Sequence, residues 1–188
     1  MMTTTDETEL SENGLKVRAI AVALTTAIAS KPEQLFIRAK QVGDVLGVEI
    51  RASATDTPRL VGRNGCHADA WKFILAQAGE AVGLRVVATL LEPRRAEPGL
   101  RPKEFSRNPS FNSKVAEQIV KLVAECFLKE PFNVVLTDLE KVTLVQLQPA
   151  YSELEAVPGE VEDALRLLLD VIGKSNGRLI QLASSEKP

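Results

Sequence analysis

The chain has 188 residues, of which 45% are hydrophobic and 4% aromatic, and its formal net charge is −2. That length accommodates two small domains, whose cores must be aliphatic. The low net charge excludes a uniformly basic coat for nucleic acid, but the charge is uneven along the sequence. Residues 51–107 hold ten Lys and Arg against six Asp and Glu, whereas residues 109–188 hold eight against twelve. We therefore expect a polyanion to bind the first half of the chain.

The sequence has few of the residues that serve metal sites or catalysis. It contains two cysteines, Cys66 and Cys126, and a single histidine, His67. No CxxC pair is present, so neither a zinc site nor another cofactor is predicted. A pairing of nucleophile and base is also missing, and we expect that the protein is not an enzyme. No signal peptide and no run of about 18 apolar residues is visible, which predicts a soluble, cytoplasmic protein.

The first elements are predicted from composition and periodicity. Residues 1–13 are acidic and polar, which indicates a disordered tail. Apolar residues recur with a helical period over 15–29, so a helix is predicted there. Two short antiparallel strands are predicted next, over 35–37 and 45–52. These elements begin a predicted α+β domain that covers residues 14–92.

A glycine motif, GRNG at residues 62–65, lies directly before the next long helix. This helix is predicted to open at Cys66 and to end near Gly83, and a strand follows over 84–91. Its apolar side chains recur with a period of 3.6 and are predicted to face the core: Trp71, Ile74, Leu75, Ala78 and Val82. A short helical element precedes the motif, so the predicted order is α-β-β-α-α-β. Residues 93–110, rich in proline and arginine, form a predicted linker.

The second half, residues 111–185, is predicted to repeat this order. Its predicted elements are a helix over 113–128, strands over 133–136 and 141–148, a helix over 161–172 and a strand over 178–183. The inward face of its second strand is assigned to Val142, Leu147 and either Leu144 or Val145. The run from Trp71 to Gly83 has the same length as the run from Leu165 to Gly177, which indicates an internal duplication.

The second copy lacks the glycine motif. VPGEVEDA stands in the place of VGRNGCHADA and is two residues shorter. Carboxylates crowd this loop and the first helical turn: Glu160, Glu162 and Asp163. Such carboxylates suit the start of a helix but repel a phosphate. The second copy is therefore predicted to be degenerate, without the ability to bind a nucleic-acid backbone.

The first glycine motif has the chemistry that a phosphodiester requires. Gly62 and Gly65 permit a tight turn and a close approach, because no Cβ intervenes. The helix that follows directs its free N–H groups and the positive end of its dipole at the loop. Arg63 supplies a guanidinium and Asn64 an amide at the loop tip. Three flanking side chains are further candidate RNA contacts: Arg59, His67 and Lys72.

A lone GxxG sequence is commonly an ordinary turn, but this one lies between two helices in an α-β-β-α-α-β order. With its context, TDTPRLVGRNGCHADAWKFILAQAGEAVGLRVVATL resembles the KH domain of the small bacterial KH proteins of the KhpA type. The resemblance covers about residues 14–92. It implies a type II KH fold and binding of single-stranded RNA through Gly62, Arg63, Asn64 and Gly65. It also implies pairing with a second copy of the protein or with a KH-family partner.

The chain departs from that family by carrying the second copy. We therefore expect an α+β protein of two tandem KH-like domains, each with a three-stranded sheet on helices. The first should bind single-stranded RNA. The second should serve packing or partner contact, as an internal substitute for a dimer subunit. Two alternatives stay open: an interaction scaffold whose glycine loop has lost its function, and binding of single-stranded DNA.

Overall fold

The computed structural model describes residues 10–91, 113–129, 131–149 and 157–183. These residues form an α+β structure with two three-stranded mixed sheets. The elements of the first half are α1 (Glu12–Ile28), β1 (Phe36–Val42), β2 (Val45–Arg51), α2 (Thr57–Val61), α3 (Cys66–Ala81) and β3 (Arg85–Leu91). Those of the second half are α4 (Ser113–Phe127), β4 (Phe132–Leu139), β5 (Val142–Pro149), α5 (Gly159–Ser175) and β6 (Leu179–Ala183). The predicted linker at 93–110 lies outside the described residues.

The two sheets have the same topology. In the first, β2 lies between β1 and β3, antiparallel to β1 and parallel to β3. In the second, β5 takes the same central place between β4 and β6. The predicted order α-β-β-α-α-β is confirmed in the first half. The described part of the second half has the order α-β-β-α-β, and a counterpart of α2 would fall at 150–156, outside the described residues.

Helix α1 begins at Glu12, three residues before the predicted start, because two side chains fix its first turn. The hydroxyl of Ser11 accepts a hydrogen bond from the backbone N–H of Gly14 at 3.1 Å, which caps the helix. The side chain of Asn13 donates to the carbonyl of Val82 at 2.8 Å, at the far end of α3. Residues 12 and 13 therefore belong to the folded domain and not to the predicted tail.

The central strand of the second sheet has its inward face at Thr143 and Val145, both fully buried. Leu144 lies on the other face. Of the two residues predicted as alternatives for the inward face, Leu144 and Val145, Val145 is therefore correct. Val142, also predicted inward, faces outward with Leu144. A buried threonine is tolerated here because its hydroxyl donates to the carboxylate of Asp138 at 2.6 Å.

The duplication predicted from sequence spacing is visible in the helix–strand junctions of both halves. Gly83 and Gly177 each follow a helix with a positive φ, of 77° and 71°. Gly79 and Gly173 lie four residues before these glycines. The carbonyl of Gly79 accepts a hydrogen bond from the N–H of Leu84 at 2.7 Å, and that of Gly173 accepts one from the N–H of Arg178 at 2.9 Å. A Cβ at Gly79 would lie 2.8 Å from a carbonyl oxygen of the next segment, and one at Gly173 would lie 2.7 Å away. Both helices therefore need glycine where the returning strand approaches.

The two halves pack through equivalent helices. Helix α1 contacts α4 and helix α3 contacts α5, and the crossed pairs α1 with α5 and α3 with α4 also touch. Each sheet packs on the helices of its own half. One apolar cluster runs through both halves, from Leu46 and Trp71 in the first to Val145 and Leu168 in the second. This is the geometry of an isologous dimer interface, formed here within one chain.

Candidate nucleic-acid interface

The segment before the glycine loop is anchored by a buried carboxylate. Asp56 precedes α2 and is fully buried. It accepts hydrogen bonds from the backbone and hydroxyl of Ser30 at 2.8 and 2.7 Å, and from the backbone N–H of Lys31 at 3.0 Å. These bonds tie the start of α2 to the end of α1, so the loop begins from a fixed point.

The loop backbone has a positive φ at three of its four positions. Gly62 has a φ of 74°, Asn64 a φ of 54° and Gly65 a φ of 85°. Among L residues asparagine tolerates this region best, which explains its place between the two glycines. Arg63 and Asn64 are exposed at the tip, where Arg63–Gly65 forms one turn of 3-10 helix. The sequence motif thus forms a compact turn whose two side chains face solvent.

His67 holds this turn in place. Its Nδ1 lies 2.7 Å from the carbonyl oxygen of Arg59, in the last turn of α2. The imidazole also lies over Gly62, where an added Cβ would come within 2.4 Å of its Cγ. His67 was predicted as an RNA contact, and the structure shows that it also bridges the two sides of the loop.

Two large side chains close the base of the loop. The indole of Trp71 is fully buried and donates to the carbonyl of Leu60 at 3.0 Å, so the predicted core role is confirmed. The side chain of Arg59 is 6% exposed. Burial lowers the pKa of its guanidinium, and the nearby carboxylate of Asp56 opposes that shift. Arg59, predicted as an RNA contact, thus places a largely buried cation beneath the loop.

Helix α3 begins directly at the loop with Gly65 as its N-cap, and no side chain caps it. The N–H of Cys66 donates to the carbonyl of Arg63 within the loop, and the positive end of the helix dipole is directed at the loop. Asp69 lies in this first turn, and its Oδ2 is 3.6 Å from the Cβ position of Gly65. Sequence analysis did not weigh this carboxylate, although its place four residues after Gly65 puts it on the same helical face.

A cleft of about 560 Å³ lies beside the loop, and both halves of the chain line it. The first half supplies Pro58, Arg59, Gly62, Arg63 and His67. The second half supplies the end of α5 and the turn after it: Val171, Lys174, Ser175 and Gly177. Four of the seven predicted site residues therefore meet at one cleft. Asn64 and Gly65 form the rest of the loop, beside the cleft.

Lys72 is the predicted site residue that does not reach the cleft. It is exposed on α3, and its Nζ lies 5.6 Å from the centroid of the Trp71 ring. This distance is within the range of a cation–π contact. Lys72 is therefore a surface residue one and a half turns or more from the loop, positioned by its neighbour.

The corresponding junction of the second half has a different surface. Helix α5 has Pro158 as its N-cap, and its first turn contains Glu160 and Glu162. Arg166, which matches Lys72 in the repeat, forms ion pairs with Glu162 and with Asp163, the latter at 3.0 Å. Carboxylates therefore occupy the region where the first half has its glycine loop, as the sequence indicated.

The described residues show no cluster of metal ligands, and one of the two thiols is buried. Among the described residues, no group of three or more His, Cys, Asp and Glu side chains could hold a metal ion. Both cysteines are free, and burial raises the pKa of the Cys126 thiol to about 11. A thiol with so high a pKa is a poor nucleophile at neutral pH. None of the described helices combines the length and apolar composition needed to cross a bilayer.

Comparison of the chain with protein-family models, with curated proteins and with solved structures finds no match. The residues of the site and their geometry are therefore the grounds for a functional assignment.

Proposed function

We propose that the chain binds single-stranded RNA through residues 62–65, as a protein of two tandem KH-like domains of which only the first binds RNA. The observation that carries the proposal is the loop itself. Three positive φ angles, at Gly62, Asn64 and Gly65, turn the backbone immediately before an uncapped helix start. The N–H groups of Gly65 and Cys66 donate to the carbonyls of Gly62 and Arg63, which closes the turn. The positive end of the α3 dipole and the exposed side chains of Arg63 and Asn64 would therefore supply the attraction for an anion.

Cationic side chains around the loop favour a phosphate over other ligands. Arg63 is exposed at the tip and can pair with phosphate oxygens in a bidentate manner. Arg59 lies beneath the loop and adds positive potential from a poorly solvated position. The tryptophan of α3, Trp71, is fully buried, so its indole offers no platform for base stacking. Contacts with the sugar-phosphate backbone would therefore supply most of the affinity.

The KH assignment rests on the agreement between element order and loop position. The first half has the order α-β-β-α-α-β, and the GxxG sequence lies between the two consecutive helices. KH modules clamp a short stretch of nucleic-acid backbone with such a loop. The second half repeats the scaffold without the loop and packs its helices against those of the first. It would serve as the internal counterpart of a second subunit.

The experiment is a fluorescence-anisotropy titration of short single-stranded RNA pools at two salt concentrations. Wild type is compared with the double variant Arg63→Asp/Asn64→Asp. The variant should bind at least about tenfold more weakly, because two carboxylates would face the phosphates. The charge-matched control is Asn133→Asp/Lys129→Asp, which replaces one cation and one asparagine by aspartates at exposed positions of the second half. Circular dichroism establishes that each variant is folded.

Each outcome decides between the functions. Loss of binding in the loop variant alone supports RNA binding through residues 62–65. Equal binding by wild type and both variants would place the contact elsewhere and sink the loop assignment. Absence of binding by wild type would favour the interaction scaffold, with a protein as partner. A parallel titration with DNA of the same sequence tests the other alternative, since only RNA presents a 2′-OH.

A further inference from the structure

The wall of the cleft that faces the glycine loop belongs to the second half of the chain. Lys174 and Ser175 come from the last turn of α5, and Gly177 from the turn that follows. A strand held by residues 62–65 would therefore have the end of α5 as its neighbour on the cleft side. The charge and hydrogen bonding of that end decide whether it attracts or repels a phosphate.

The end of a helix is ordinarily unfavourable for an anion, because its last carbonyls are unpaired and form the negative end of the dipole. In α5 these carbonyls are occupied. The hydroxyl of Ser175 donates to the carbonyl of Val171 at 2.7 Å, and the amide of Asn176 donates to that of Ile172 at 2.7 Å. Backbone N–H groups from residues 176–178 donate to the carbonyls of Gly173 and Lys174. Most carbonyls at the negative end of the helix dipole therefore have a hydrogen-bond donor within the protein.

Lys174 supplies a cation on this wall. Its side chain is 70% exposed, and its Nζ donates to the carboxylate of Asp170 at 2.6 Å, one turn earlier on the helix. An exposed pair of this type is worth little in free energy, so a phosphate can draw the ammonium away at small cost. Lys174 lines the cleft, and a lysine side chain is long enough to keep its ammonium in solvent.

The internal repeat gives a second, independent reason to assign a role to Lys174. When the two repeats are aligned so that Gly79 matches Gly173, Lys174 aligns with Glu80. The helix of the half that has the glycine loop thus ends in a carboxylate, and the helix opposite that loop ends in an ammonium. Both positions are exposed, so packing does not require the difference, and the ammonium of Lys174 also suits the negative end of the α5 dipole.

We propose that Lys174 binds a phosphate of the RNA strand next to the phosphates held by residues 62–65, so that the second half completes the binding site of the first. The inference rests on the proposed function of the loop. It extends that function, because the second half acquires a direct contact with RNA besides its role in the shared core. The cleft of about 560 Å³ would then hold a stretch of backbone between α5 and the loop.

The test measures RNA affinity and its salt dependence for the full-length variants Lys174→Glu and Lys174→Gln. We expect Lys174→Glu to weaken binding about fivefold and to lower the slope of log K against log salt by about 0.7, the value for one phosphate contact on a single strand. Lys174→Gln should lower the slope by the same amount with a smaller loss of affinity. The charge-matched control is Lys129→Glu, an exposed lysine that precedes β4. This end of β4 pairs with the end of β5, whereas the cleft residue Gly177 precedes the strand that pairs with the start of β5.

Two comparisons separate failure of this inference from failure of the proposed function. If the loop variant Arg63→Asp/Asn64→Asp abolishes binding but Lys174→Glu behaves like Lys129→Glu, the loop assignment stands and the contact of Lys174 is overturned. If the loop variant binds like wild type, both ideas fail together. Asp170→Asn is a variant with the opposite expected effect on RNA affinity. It frees Lys174 and should tighten binding about twofold, whereas unchanged or weaker binding would count against the contact.

Discussion

The two helix–strand junctions of this protein share a scaffold and differ in their loops. In both halves a glycine lets the returning strand approach the helix, and a second glycine of positive φ ends the turn. In the first half the opposite end of the helix begins at a glycine loop with exposed Arg63 and Asn64. In the second half it begins at Pro158 and is followed by carboxylates.

This difference separates what the scaffold requires from what the ligand requires. Contacts that hold a helix against a sheet are needed in both copies, so the same residue types recur at the same spacing. The conformation and charge of the loop are not needed for that packing. They are present in one copy and absent from the other, which is the pattern expected when a single site serves the whole chain.

The shared scaffold gives the largest expected effect. Gly79→Ala and Gly173→Ala should each lower the free energy of unfolding by about 2 kcal/mol, because the added methyl overlaps the backbone of the returning segment. At Gly79 it would also lie 2.2 Å from Cγ2 of Val86. Urea denaturation followed by circular dichroism measures the change. Since one core runs through both halves, both variants should shift the same single transition.

Gly159→Ala is the matched control for these two variants. The glycine opens α5, and a Cβ there would meet nothing within 4 Å. Alanine at such a site normally raises stability, by about 0.4 to 1 kcal/mol. If Gly79→Ala or Gly173→Ala were as stable as Gly159→Ala, the close approach of helix and strand would be incorrect.

The two cysteines provide a second contrast between the halves. Cys66 is half-buried beside the loop, whereas Cys126 is buried in α4, where desolvation raises the pKa of its thiol from 9.0 to about 11. A raised pKa stabilises the fold below the unfolded-state pKa, and this contribution is lost as pH rises from about 9 through about 11. We expect the free energy of unfolding to fall by about 1 kcal/mol between pH 8 and pH 10 because of this thiol.

Cys126→Ala isolates that contribution. The variant is less stable at both pH values because it leaves a cavity, but its stability should decrease less between pH 8 and pH 10 than that of wild type. Urea denaturation of both proteins at both pH values gives the difference. An equal decrease in the two proteins would mean that the thiol is solvated. Cys66→Ala serves as the control at the other cysteine.

The scaffold was largely predictable from sequence, because it depends on local patterns. Helical periodicity located Trp71, Ile74 and Leu75 in the core, and equal spacing of Gly83 and Gly177 from their helices predicted the repeat. Periodicity did not identify the inward-facing residue where two apolar residues are adjacent. Leu144 and Val145 fit the inward face of β5 equally well by composition, and the pairing of β5 with its neighbours decides for Val145.

The site was predictable only in part. The glycine motif identified residues 62–65, since positive φ has a strong preference for glycine and asparagine. The contact between the imidazole of His67 and Gly62 depends on tertiary geometry, which no local pattern encodes. The same holds for the second wall of the cleft, because Lys174 lies more than a hundred residues from the loop in sequence. Only the packing of α3 on α5 brings it there.

The loop conformation itself can be tested by comparing two glycines of positive φ. Gly43, with a φ of 61°, lies in the β1–β2 turn with open space around its Cβ position, whereas Gly62 has His67 in that space. Gly62→Ala should therefore destabilise the protein more than Gly43→Ala, by about 1 kcal/mol. It should also weaken RNA binding, which Gly43→Ala should leave unchanged.

A double variant shows whether His67 is the cause. Gly62→Ala/His67→Ala removes the imidazole that the new methyl would meet, so part of the stability lost in Gly62→Ala should return. Urea denaturation of the two single variants and the double variant measures the coupling. Strictly additive losses would mean that the cost at Gly62 comes from its backbone conformation alone, and that His67 does not hold the turn.

The smallest expected effect concerns Asp69, a carboxylate beside the glycine loop. Asp69 lies in the first turn of α3, where it stabilises the positive end of the helix dipole and competes with a phosphate for it. Asp69→Asn should therefore tighten RNA binding about twofold and slightly lower the stability of the free protein. The control Glu80→Gln removes a carboxylate at the other end of the same helix and should leave affinity unchanged. Weaker binding by Asp69→Asn would show that the carboxylate holds the loop in its binding conformation, because a free carboxylate near phosphates can only oppose them.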